Sequence, residues 1–469
     1  MESDERIKIE GEGYLIHNDL NKQFPVKFEV EQTYSGYIAG RLSVLKEEDP
    51  SLSSYWIQGL RNKFSLIGYT KNRDKVIIED IDLSRISQPE ATLNVKFSAG
   101  KVEVSYETIS MKDQFWIQYG LINLDSRHLL RGHIETDIGK ITFSKLKNHD
   151  EVIEEMKTFK TPLLSGYINV TNANIEKFES FDSYSKSVDK TIDKVLELLS
   201  LAQSTYLSYC LICIYSKTPD SSFQNDYKLK KLIMLDIKTK APSLGKPLIR
   251  EWEDICGFIS TTLPKYTDDL RTQFGLSIAF EWYLDSLSSG VLQSRYLQAF
   301  TVLELLKDRY NKIIGNEYIL PESFEEYLPD LKKKIKEVLK EKGVNNKKRK
   351  KISGNLEGIN RTSFSNSLGR LLKDHHISYD DLFSDFKIMK DTRDQIIHRG
   401  IQEIDSEELI DAYHRLICLI QRIFLALMEY DGYFLDRNDK YERKKFTDFI
   451  IGKTARTPEE IPRGENGAG

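Results

Sequence analysis

Residues 405–431, DSEELIDAYHRLICLIQRIFLALMEYD, carry the clearest structural instruction in the chain. Leu409, Tyr413, Leu416, Ile420, Ile423 and Leu427 recur at three- and four-residue steps, the spacing that gathers side chains on one face of an α-helix. Asp405 and Glu408 stand where a capping box would begin such a helix. Running from about 406 to 431, it would be roughly 39 Å long at 1.5 Å per residue, enough for the central core element of a helical domain.

The same period extends back to about residue 250. DDLRTQFGLSIAFEWYLDSL (268–287) reads as helix. So does 289–313, where Leu292, Tyr296, Ala299, Leu303, Leu306 and Tyr310 form a stripe. A lysine-rich helix is expected over about 322–342, a further one in SFSNSLGRLLKD (363–374), and another beginning near Ser378 with the stripe Leu382, Phe386, Met389.

Before residue 180 the period is two. Runs at 24–34, 63–70, 74–83, 91–98, 101–109, 115–124 and 139–146 are rich in Val, Ile, Phe and Tyr and are separated by short polar or glycine-bearing clusters. KNRD (71–74) and Ala99-Gly100 are expected to turn hairpins. Residues 184–202 switch to helical spacing, with Val188, Ile192, Val195, Leu196 and Leu198 as the apolar stripe, and strand-like runs follow at 205–216 and 228–238. The fold class is therefore α+β. A β-rich domain of sandwich or barrel type spans 1–183, a mixed α/β connecting region 184–288 and an all-α bundle 289–450. The Gly/Pro-bearing tail at 451–469 is expected to be disordered.

Composition narrows the classes. The chain has 469 residues, too many for one ordinary core, with 40% hydrophobic and 30% charged residues. A net charge of −4 gives no global attraction to nucleic acid, so any such argument must be local. Four cysteines are too few for a disulfide framework, and no apolar stretch reaches the roughly 18–20 residues that span a bilayer. A cytoplasmic protein with no membrane partner is the expectation. Cys210-Leu-Ile-Cys213 has metal-type spacing but lies in the apolar run YLSYCLICIY, so buried thiols are favoured. No phosphate-binding glycine loop or esterase elbow is present.

The chemistry concentrates in Arg393-Asp394-Gln395-Ile396-Ile397-His398, followed by Arg399-Gly400. Arginine can grip a phosphate with a planar fork of donors, and histidine exchanges protons near neutral pH. The Arg/His spacing recurs at Arg370/His375 and Arg127/His133, so spacing alone decides nothing. Arg393 is set apart because it continues the Leu382, Phe386, Met389 stripe, about 20° round an ideal helix from Leu382. A cation in a core-facing row needs an anion or an acceptor, and Glu304 is one candidate. A five-residue step turns about 140°, so Arg393 and His398 converge only if the last turn distorts or a second copy completes the site.

A C-terminal helical region bearing R-D-x3-H-R-G at the end of its penultimate helix resembles the HEPN domains. With RYLQAFTVLELL (295–306) and the strand-rich first half, the chain more narrowly resembles the ApeA-like bacterial anti-phage proteins. That resemblance implies a metal-independent endoribonuclease acting as a homodimer, using the RNA's own 2′-hydroxyl and leaving a cyclic phosphate, with no cofactor. It implies abortive infection as the biological role. The cost of indiscriminate RNA cleavage implies control, so a resting state relieved by a phage protein at the N-terminal half is the expectation. On these residues it makes His398 the general acid/base and Arg393 the stabiliser of the charged phosphorane. Asp394 would orient one of them, Arg399 would contact a backbone phosphate, and Glu304 would support the site. The alternative is a non-catalytic HEPN scaffold binding RNA or protein. Residues 332–351 hold eleven basic residues against two acidic ones, and are either a nucleic-acid arm, for RNA or duplex DNA, or a solvated lysine face.

Overall fold

The computed structural model describes residues 7–18, 22–45, 64–87, 92–125, 132–171, 175–217, 227–237, 240, 246–250, 252–288, 290–315, 324–360, 362–399 and 405–450. The expected tail at 451–469 lies outside them. The chain divides into two compact units, 1–263 and 264–469.

In the first unit, β1 (Ile7–His17), β2 (Lys22–Gln32), β3 (Ile38–Leu45), β4 (Phe64–Thr70), β5 (Lys75–Ser87) and β6 (Thr92–Ser105) pair antiparallel. The pairing of β3 with β6 closes them into a six-stranded barrel in the cyclic order β1-β2-β3-β6-β5-β4. Alternation fills it: Phe24, Val26, Phe28 and Val30 of β2 are buried, while the residues between them face outward. Two inward positions carry no side chain because rings from other strands of the barrel take the space. A Cβ on Gly40 would lie 2.2 Å from the Phe97 ring, and one on Gly68 2.8 Å from the Phe28 ring.

The KNRD turn forms as expected, with Arg73 at φ 70° and Thr70 N–H bonded to Asp74 O. Ala99-Gly100 does not turn; it lies within β6, a strand of 14 residues. Ile81 pairs with Ala99 and Glu79 with Lys101, so the ladder runs straight past. Asp80 takes φ 51° beside Gly100, where a Cβ would come 3.0 Å from the Asp80 side chain. The small residue lets the two strands kink together rather than reverse.

From β6 the sheet continues through β7 (Gln114–Ile122), β8 (His133–Thr136), β9 (Gly139–Lys145), β10 (Leu164–Thr171), β11 (Ser208–Lys217) and β12 (Lys228–Leu235), in the order β6-β12-β11-β7-β10-β9-β8. Helix α1 (His149–Phe159) packs on β10, and α2 (Phe181–Gln203) packs with α3 (Trp252–Thr262). The section 184–288 is thus not a separate connecting region. Strands β11 and β12 sit between β7 and β6, a pairing across more than 80 residues that local pattern does not reveal. Cys210 and Cys213 are buried in the resulting core, where burial pushes their thiols up to about 12 and about 11.

The second unit is helical: α4 (Asp268–Phe274), α5 (Leu276–Ser288), α6 (Leu292–Ile313), α7 (Phe324–Glu341), α8 (Asn346–Gly354), α9 (Phe364–Asp374), α10 (Lys387–Arg399) and α11 (Ser406–Leu427), then a hairpin of β13 (Tyr433–Asp436) and β14 (Glu442–Lys445). The expected single helix at 268–287 is broken by Gly275, whose φ of +64° ends α4. Helix α11 is shorter than the pattern suggested, and its cap is the Asp405 carboxylate accepting the Glu407 N–H. Residues 416–425 are buried on all sides, so α11 is the core helix of the unit. No helix among the described residues is long and apolar enough to cross a membrane.

Candidate functional site

Helix α10 carries the Arg–His motif, and its start differs from expectation. Residues 378–386 form turns, and the helix begins at Lys387, whose N–H bonds the Asp385 carboxylate at 2.8 Å. Leu382 and Phe386 are buried, but from the turn rather than from a helical stripe. Asp385 can cap the chain there, which ends the backward run of the helix. Met389 and Ile396 seat α10 on the bundle, and the Tyr296 hydroxyl donates to the Met389 carbonyl at 3.0 Å.

Arg393 is about one-third exposed and donates through Nη1 to Asp394 Oδ1 at 2.8 Å. Its guanidinium lies 5.7 Å from the Phe300 ring centre, a cation–π contact. Phe300 stacks on Phe364 at 5.1 Å, and Lys307 Nζ lies 5.4 Å from the Phe364 ring. Cation, ring, ring and cation thus form a ladder from α10 across α6 to α9. Sequence reading missed it; the four- and seven-residue steps of Phe300, Glu304 and Lys307 on α6 were its only local signal. Glu304 is half-buried on that same face, yet Asp394 rather than Glu304 takes the guanidinium.

His398 is exposed, and α10 stays α-helical through Arg399. The anticipated distortion of the last turn is therefore absent, and the step of about 140° from Arg393 stands. Asp394 lies four residues before His398, on the same side of the helix, while its carboxylate holds Arg393. The structure thus brings Arg393 and Asp394 together and leaves His398 round the helix. The side chain of Arg399 and residues 400–404 lie outside the described residues.

A second arginine was not singled out from the sequence. Arg422, on α11, is fully buried and makes two 2.6 Å bonds to the Asp381 carboxylate and one of 2.9 Å to the Ser378 carbonyl. It stacks 4.0 Å from the Phe449 ring and lies 3.7 Å from the buried Asp436 carboxylate, which Lys444 also approaches. Burial disfavours ionised Asp381, but the Arg422 bonds and charge outweigh it and hold the carboxyl below its usual range. The signal was available: Gln421 and Arg422 interrupt the otherwise apolar run LICLIQRIFLAL.

Residues 297–431 match the family model for the Apea-like HEPN domain. This chain carries an Apea-like HEPN domain. The matched segment contains the ladder on α6 and α9, the whole of α10 and Arg422. No curated protein and no solved structure matches the chain. HEPN domains are generally ribonuclease domains, and the Apea-like type points at family level to a nuclease-like anti-phage role.

Within the HEPN domain the competing pair Arg370/His375 has a structural job. Asp374 accepts from the Tyr310 hydroxyl and lies 3.7 Å from Arg370, while the His375 ring packs edge-on against Phe274 and Tyr310. Burial lowers the His375 pKa, as expected for a ring wedged between aromatics at a helix end. Of the third pair, His133 lies 3.2 Å from Glu135, and Arg127 is outside the described residues.

Proposed function

We propose that the HEPN domain is a metal-independent endoribonuclease of an anti-phage abortive-infection system, acting as a homodimer under control of the barrel unit. The observation that carries this reading is an exposed His398 on the same short helix as an Arg393 whose guanidinium, among the described residues, has one carboxylate contact, within the HEPN-matched segment.

In the proposed reaction the RNA 2′-hydroxyl attacks the adjacent phosphorus and expels the 5′-oxygen, leaving a 2′,3′-cyclic phosphate. His398 moves the proton between these oxygens, and Arg393 neutralises the extra charge on the phosphorane. Asp394 holds the guanidinium through one bond and lies on the His398 side of the helix, where it can orient either group. Arg399 is assigned to a backbone phosphate, and Glu304 supports the ladder. The 140° step supports a dimer, because a second copy supplies across the interface the group that one protomer turns away. Ile397, 49% exposed beside His398, offers that copy an apolar contact. The cost of indiscriminate RNA cleavage calls for a restrained resting state that a phage protein relieves through the barrel unit.

The test is RNA cleavage in EDTA by wild type, Arg393→Ala and His398→Ala. Activity in wild type and loss in both variants supports the assignment; metal-dependent cleavage kept by both variants places the chemistry elsewhere. A defence phenotype that survives His398→Ala makes the domain a scaffold instead. Equal RNA degradation with and without infection removes the proposed restraint.

A further inference from the structure

Helices α7 and α8 form a hairpin, joined through Gly343 at φ 72°, that packs on itself and on the short 3-10 turn Asn355–Asn360. No residue of α7 is fully buried, which is unusual for an 18-residue helix in a folded domain. Lys333, Lys336 and Lys340 share one side of α7 at three- and four-residue steps; Lys347, Lys350 and Lys351 do so on α8. All six are exposed. Among the described residues, none of these six lysines has a carboxylate partner. Lys8, paired with Glu10 and Glu29, and Lys27, paired with Glu12, show the contrasting arrangement.

We infer that this hairpin is the RNA-backbone docking surface of the HEPN domain, an inference that rests on the ribonuclease reading above. The 332–351 stretch, eleven basic residues against two acidic ones, concentrates like charge that repels itself, and a polyanion with closely spaced phosphates relieves that repulsion by releasing its own counterions. The chain path links the hairpin to the ladder. The 3-10 turn on which both helices pack leads within four residues to Phe364, the outer ring of the ladder that ends at Arg393. Only Tyr327 among the hairpin's aromatics is strongly exposed, so the grip is on phosphates and not on bases, and it is indifferent to sequence. The apolar side of α7 (Leu328, Leu331, Ile335, Leu339) is partly covered, which argues against insertion of that face into a bilayer.

The experiment uses the full chain in a His398→Ala background, so that RNA is bound and not cut. Binding of a fluorescent single-stranded RNA of mixed sequence is measured across a potassium chloride series. It is compared with the sextuple variant Lys333→Gln, Lys336→Gln, Lys340→Gln, Lys347→Gln, Lys350→Gln, Lys351→Gln and with the matching six Lys→Arg changes. The glutamine variant should bind at least tenfold more weakly, and its salt slope should fall by about 0.7 for each phosphate it no longer neutralises. The arginine variant should keep both. With His398 restored, the glutamine variant should cleave a dinucleotide at the wild-type rate and long RNA more slowly. Unchanged RNA affinity and slope overturn the inference. So does tighter retention of duplex DNA than of RNA, or weakening seen only with phosphatidylserine vesicles. If wild type cleaves nothing but the glutamine variant still binds RNA more weakly, the ribonuclease reading fails while the docking surface stands.

Discussion

Arg422 and Arg393 each meet an aspartate and an aromatic ring in the same helical unit, and they are built to opposite ends. Arg422 is fully buried, with a two-bond grip on Asp381, a carbonyl and a stacked ring. Arg393 is one-third exposed, with a single 2.8 Å bond to its neighbour Asp394 and a ring at its back. A guanidinium has five donors in a fixed fork. Where the fold occupies one face and most donors, the arginine is architecture. Where donors remain directed at solvent, the same group can take a phosphate. The difference lies in saturation, not in residue type.

The contrast can be broken experimentally at several points. The largest effect is expected outside both pairs, at the histidine that one of them serves: His398→Ala should lower RNA cleavage about 10³–10⁴-fold with an unchanged melting temperature. Arg422→Ala comes next. It should destabilise the helical unit by about 3–5 kcal/mol, measured by denaturant unfolding, because it leaves Asp381 without its partner and takes one of two cations from the buried Asp436 carboxylate. Arg393→Ala should do the reverse, costing roughly 10²–10³-fold in cleavage with little change in unfolding. If both substitutions unfold the protein, or neither does, the distinction fails.

A pH series sharpens it further. Asp381 is depressed in the folded state, so its contribution to stability is complete above the unfolded value of about 3.9 and is lost as acid passes through the lower folded value. The melting temperature of wild type should fall on that acid limb, and Asp381→Asn should flatten it. The smallest effect belongs to Glu304→Gln, since Glu304 does not hold the guanidinium; cleavage should change by about twofold or less.

How much of this was legible beforehand follows from the range of the interactions involved. The motif on α10, the long core helix and the β-rich first half announce themselves through local period and residue type. The barrel closure between β3 and β6, and the entry of β11 and β12 beside β7, are pairings between distant segments with no local signature. Ala99-Gly100 misled because small residues mark kinks as well as turns. The stripe through Leu382 misled for a different reason. Leu382, Phe386 and Met389 all reach the core, but an intervening cap at Asp385 means they do so from two elements. Arg422 was overlooked because its run is otherwise so apolar that the pattern invites reading past it.

The clamp at Arg422 also governs where the motif points. It pins Ser378 and Asp381, and the Ser378 N–H bonds the Phe449 carbonyl at 2.8 Å, so the turn that launches α10 is fastened on both sides. His398 stands eleven residues along that helix, a lever arm of about 16 Å at 1.5 Å per residue. A tilt of only about 4° at the fulcrum would swing the imidazole by roughly 1 Å, a misplacement that can slow a reaction about a hundredfold. A side chain that never meets RNA would then decide whether the cutting group arrives on target.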